Sequence, residues 1–75
     1  MQVSRFSNGG FVLHKINFNG HYYSAWYDNS GGMIDCERTT YGKYCSSIPP
    51  RCTTIRKYLN KLGKIWLTLR LEPVN

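Results

Sequence analysis

Hydrophobic and polar positions along the chain fall into short periodic runs separated by turn residues. Phe11-Val12-Leu13-His14-Lys15-Ile16-Asn17-Phe18 reads as a strand, introduced by the turn signal Ser7-Asn8-Gly9-Gly10. Asn19-Gly20 follows, the pair best suited to a two-residue hairpin because both positions tolerate positive φ. His21 to Asp28, rich in tyrosine and tryptophan, is a second strand. After Asn29-Ser30-Gly31-Gly32, a third strand is expected over Met33–Arg38, continuing irregularly to Tyr44-Cys45. Ser46-Ser47-Ile48-Pro49-Pro50 then marks a helix start, since proline fits a first helical turn.

Cys52, Ile55, Leu59 and Leu62 recur at spacings of three, four and three, which predicts a helix over 50–62 with Gly63 as its C-terminal cap. In Ile65 to Glu72, apolar Ile65, Leu67, Leu69 and Leu71 alternate with Trp66, Thr68, Arg70 and Glu72, the period of a half-buried strand. The expectation is therefore an α+β fold: a small antiparallel sheet of three to four strands, in β-β-β-α-β order, with one helix packed on one face. Residues 1–75 form a single domain, read as a complete small reading frame.

The hairpin sets a register. With Asn19-Gly20 as the loop, Phe18 faces His21, Ile16 faces Tyr23, His14 faces Ala25 and Val12 faces Tyr27, all on the helix side. The opposite face then carries Lys15, Asn17, Leu13, Tyr22, Ser24 and Trp26, joined by Trp66, Thr68 and Arg70 of the last strand. Rings interleaved with cations are what single-stranded nucleic acid requires, because bases stack while phosphates are neutralised. The competing reading is that Leu13, Trp26 and Trp66 meet a second protein chain, including another copy of this one, or cover a small satellite core.

Charge sharpens the picture. Ten lysines and arginines against four acids give a net charge of +6, and Arg38 to Lys64 holds seven bases and no acid. A one-signed segment draws anions such as nucleic acid, acidic protein surfaces or anionic lipid. Opposite the apolar helix stripe lie Thr53, Lys57, Asn60, Lys61 and Lys64, a face that suits a phosphate backbone or a groove. An ordinary solvated helix face is the alternative.

Catalytic and metal constellations are weak. Cys36, Cys45 and Cys52 lack any close-spaced pair, and His14 or His21 would have to complete a zinc site, so three free thiols is the reading. Asp35 and Glu37 share one strand face but lack the further groups of a metal-dependent nuclease. A Cys–His dyad has no supporting motif, and no glycine-rich phosphate loop is present. No enzyme activity and no cofactor are expected. No secretion signal or membrane span is evident, so the cytoplasm is the expected compartment.

Two functions are carried forward. One is a nucleic-acid- or nucleoprotein-binding module using Lys15, Tyr22, Trp26, Arg56, Lys57, Asn60, Lys61, Lys64, Trp66 and Arg70. The other is a small phage- or plasmid-type accessory protein that regulates or inhibits a host protein complex, with Trp26, Trp66 and Tyr22 as interface anchors.

Overall fold

The computed structural model of the chain describes residues 1–40 and 44–70. Five strands, β1 (Gln2–Arg5), β2 (Phe11–Phe18), β3 (His21–Tyr27), β4 (Met33–Thr40) and β5 (Tyr44–Ser47), form an antiparallel meander. One helix, α1 (Thr53–Arg70), follows and covers one face of the sheet. The expected α+β class, an antiparallel sheet with a single helix on one face, is what the chain adopts.

The order differs from β-β-β-α-β. A short β1 precedes the expected strands, and the irregular extension after Arg38 is a hairpin whose second arm is β5. No strand follows the helix among the described residues: Ile65 to Arg70 are helical, while Leu71 and Glu72 lie outside the described residues.

The turns explain the meander. Asn19 and Gly20 have φ of 51° and 80°, the paired positive values of a tight two-residue hairpin. The segments Phe6–Gly10 and Asp28–Gly32 repeat one another. In each, the first residue's N–H donates to the last residue's carbonyl, and the fourth residue, Gly9 or Gly31, takes a positive φ. An Asn8 or Asp28 side chain accepts from the closing glycine N–H at 2.9 Å.

The register changes in the middle of β2. Phe18 faces His21 and Ile16 faces Tyr23, as the hairpin requires, but Leu13 then faces Ala25 and Phe11 faces Tyr27. His14 and Lys15 together oppose Ser24, and Lys15 adopts a φ of 57°. This β-bulge shifts the phase by one residue, correcting the expected pairs His14–Ala25 and Val12–Tyr27. The physical reason is burial. The large apolar residues of β2 stand at 11, 13, 16 and 18, so only a slip between 13 and 16 turns all four toward the helix. Phe11, Leu13 and Ile16 are buried in the main core, and His14 goes to the other face.

Helix α1 starts at Thr53 rather than 50, after a turn in which Cys52 N–H donates to Pro49 carbonyl at 3.0 Å. It runs through Gly63 instead of ending there. The stripe Ile55, Leu59, Leu62 continues as Trp66 and Leu67, at helical spacing, onto the same core. Gly63 is a packing residue. A Cβ there would lie 2.5 Å from two carbons of the Tyr27 ring and 2.6 Å from the Gly31 carbonyl. Tyr27, 1 % exposed, stacks on Phe11 at 4.9 Å and donates its hydroxyl to the Leu59 carbonyl at 2.6 Å. Arg56 fixes the other end of the helix, its guanidinium donating to the carbonyls of Pro49 and Ile48.

Two stability outcomes follow. Gly63→Ala, which in an exposed helix would stabilise by about 1 kcal/mol, here lowers the midpoint of chemical denaturation, by an unfolding free energy of about 1–2 kcal/mol, because overpacking outweighs propensity. A raised midpoint would show that the helix does not rest on Tyr27. Tyr27→Phe costs about 1–2 kcal/mol for the lost hydrogen bond. Burial first, then the neighbouring Cys36, raises the Tyr27 ionisation above the ordinary tyrosine value. That shift holds the folded side chain protonated, so its contribution is whole below about pH 10 and falls as pH rises beyond it, when the unfolded chain ionises first. Chemical denaturation across pH 9–11 checks this: the wild type loses stability in that window, and Tyr27→Phe loses less.

Candidate nucleic-acid interface

Helix α1 carries no acidic residue. On its outer side Lys57, Lys61 and Lys64 stand at spacings of four and three, which places them on one ridge about 10 Å long. All three are exposed, as is Asn60. Lys64 also reaches back to the sheet, its Nζ donating to the Ser30 carbonyl at 3.3 Å. Arg56 is different: it is half-buried and holds the loop before the helix, so its guanidinium belongs to the fold.

The face of the sheet away from α1 is not the aromatic and basic surface expected. Tyr22 and Trp26 do lie there, Tyr22 being 45 % exposed, with Val12, His14, Asn17 and Ser24. Leu13 does not, because the bulge turns it into the core. Trp66 and Arg70 belong to α1. Trp66 packs against the core from the helix side, Thr68 donates its hydroxyl to the Lys64 carbonyl within α1, and Arg70 is its last residue, with a side chain outside the described ones. Lys15, exposed at the bulge, is the only lysine or arginine expected on that face that remains near it.

β4 replaces the lost cations with acids. Trp26 pairs with Asp35 and Ser24 with Glu37, so both carboxylates share the face of the rings. His14 meets Trp26 edge-on at 6.5 Å. A second irregularity, where Tyr27 pairs with Met33 and Trp26 with Asp35, leaves Ile34 unopposed and 68 % exposed. Ile34, Phe6, Trp26 and Asp28 border a cleft of about 390 Å³ at the end of the sheet. The Asp28 carboxyl is held below the usual carboxylate range, chiefly by the Ser30 hydroxyl, then by the Gly32 and Ser30 N–H groups and by Lys64.

Cys36, Cys45 and Cys52 are free thiols. Burial raises the Cys36 ionisation, and a hydrogen bond with Glu37 raises that of Cys45, so both are held in the protonated, less nucleophilic form. Among the described residues, no three His, Cys, Asp or Glu side chains gather as a metal site, and no helix is long and apolar enough to cross a membrane.

The structure also places basic residues that the chain pattern left unassigned. Arg38 lies on the helix side of β4, opposite Tyr23, and Arg51 stands in the turn before α1. Neither position is legible from periodicity, because Arg38 sits in a strand whose register the β3–β4 bulge sets. Lys43, part of the same basic stretch, lies outside the described residues. Compared with known proteins, the chain matches no family model, no curated protein and no solved structure.

Proposed function

We propose that this chain is a non-enzymatic binding module that engages nucleic acid, free or within a nucleoprotein, through the Lys57–Lys61–Lys64 ridge of α1. The observation that carries the reading is the separation of charge. The ridge belongs to a helix without acids, and Asp35 and Glu37 stand on the opposite face of the sheet. A phosphate backbone approaching the ridge therefore meets an unopposed positive field, and neutralising phosphates releases their counterions. The ridge supplies lysines on a rigid scaffold and only one amide side chain, Asn60, suited to reading a base edge. Contacts of this kind position a backbone and carry little sequence information. The module requires no cofactor. The cytoplasm, where nucleic acid and unpaired thiols coexist, is its place of action.

A second reading assigns the sheet's open face to a protein. Phe6, Tyr22 and Ile34 are exposed around Trp26, and Asp35 and Glu37 flank them. Carboxylates beside the rings repel phosphates, whereas a basic protein surface with an aromatic anchor is what they complement. This suits a small regulator or inhibitor of a host complex. The two readings fit one target: a nucleoprotein presents phosphates to the ridge and cationic side chains to the acidic face.

Titration with duplex and single-stranded oligonucleotides over a range of salt tests the first reading. Lys57→Gln with Lys61→Gln keeps the fold, weakens binding, and reduces the slope of log K against log salt by about 2. An unchanged slope removes the ridge from the interface. Trp26→Ala leaves oligonucleotide affinity within about twofold, because its face carries the acids; a loss of tenfold or more, about 1.4 kcal/mol, moves the nucleic acid to the sheet.

A further inference from the structure

The described part of the chain holds a second basic feature, separate from the ridge. Between β3, β4, the end of β5 and the start of α1 lies a cleft of about 320 Å³. Tyr23, Arg38 and Ser46 form one row across three adjacent strands on the helix side, since Tyr23 pairs with Arg38 and Arg38 with Ser46. Arg51 closes the cleft from the loop, and Cys52 and Ile55 border it from the helix. No carboxylate lines it.

Donor groups of three kinds stand at or beside the cleft without partners among the described residues. Among the described residues, neither the Arg38 nor the Arg51 side chain makes a hydrogen bond or an ion pair, in contrast to Arg56. The first turn of α1 lacks a capping side chain. Cys52 occupies the cap position, its carbonyl accepting from Arg56 N–H, and Thr53 N–H is satisfied by the Arg51 carbonyl. The next two amides, of Thr54 and Ile55, have no acceptor in the turn, and no acid stands in that turn to supply one. Tyr23 is the decisive group. It is more than nine-tenths buried, yet among the described residues its hydroxyl takes no partner. No fully buried side-chain oxygen is left unpaired among the described residues, so this hydroxyl opens onto space, and the space Tyr23 lines is this cleft.

We propose that the cleft is a phosphate-binding site. Arg38 and Arg51 supply charge-assisted hydrogen bonds, the Tyr23 hydroxyl donates from the floor, and the free amides of α1 add the positive end of the helix dipole. Every polar side chain named there can donate and no carboxylate lines the cleft, which suits a group with several acceptor oxygens and two negative charges or one. The proposal rests on the reading of the chain as a polyanion binder and extends it, since the phosphate is either one unit of a nucleic-acid backbone or a terminal or free phosphate. The cleft and the lysine ridge share α1, so a single strand of backbone can engage both.

Titration of ¹⁵N-labelled protein separates the sources. The probes are inorganic phosphate, an unphosphorylated ten-nucleotide oligothymidine, and sodium chloride at matched ionic strength as control. Saturable shifts of the Thr54 and Ile55 amides and of the Arg38 and Arg51 Nε–H signals with phosphate, absent with chloride, support the site. The same shifts with the oligonucleotide assign it to backbone phosphates; shifts with phosphate alone assign it to terminal or free phosphate. Arg38→Gln and Arg51→Gln, both at exposed positions, each raise Kd about tenfold, as loss of a charge-assisted contact requires. Tyr23→Phe, which keeps the buried ring, raises it several-fold. If neither probe moves these signals, or if the Arg51→Gln protein responds unchanged, the cleft is not a phosphate site. Oligonucleotide binding that depends on Lys57 and Lys61 while the cleft signals stay still overturns the cleft alone. Phosphate binding in the cleft without oligonucleotide binding overturns the nucleic-acid reading alone.

Discussion

The contact on which the rest of this fold depends is that of Tyr27 with α1 at Leu59 and Gly63. A tyrosine ring can pass beneath a helix at this distance only where a turn of the helix has no side chain, and Gly63 provides that turn. The hydroxyl then reaches the Leu59 carbonyl, so a ring buried among Phe11 and the helix leaves no polar atom unsatisfied. Because Tyr27 ends β3 and Gly31 touches the same stretch of helix, the contact also sets the β3–β4 turn against α1. The orientation of α1, and with it the direction of the lysine ridge, follows from a single glycine.

That orientation separates charge on a small molecule. The sheet is two-faced, and the helix occupies one face. Bases on α1 point outward from that side, while β4 delivers Asp35 and Glu37 to the other. The chain's net charge of +6 therefore understates the field at the ridge and misrepresents the open face, where acids sit among Trp26, Tyr22 and Ile34. The 75-residue chain thus carries two surfaces of unlike charge on opposite sides.

The two bulges carry as much consequence as the helix. The one at Lys15 moves Leu13 into the core and His14 out of it; the one at Ile34 exposes an isoleucine beside Trp26. In each case one extra residue re-aims its neighbours, which is the general role of a bulge beside a functional surface. The same device brings Arg38 onto the helix side in line with Tyr23.

The sequence alone determined what local chemistry controls. Asn19-Gly20 specified a hairpin and the two Gly-Gly segments specified turns, because their backbone angles favour residues able to adopt positive φ. Strand and helix periods located β2, β3, β4 and the first half of α1, and the acid-free run located the basic face. The second half of α1 was not decided locally. Ile65, Leu67 and Leu69 alternate as in a strand, while Leu62, Trp66 and Leu67 recur as in a helix, and both periods are present in the same residues. Tertiary packing chose the helix, because only that choice places Gly63 over Tyr27 and packs buried Leu62 and half-buried Leu67 on one core, while leaving Ile65 and Leu69 exposed. The cleft of Tyr23, Arg38 and Arg51 was likewise out of reach of local pattern, since its members come from two strands and a loop that meet only when the sheet register and the helix position are both set.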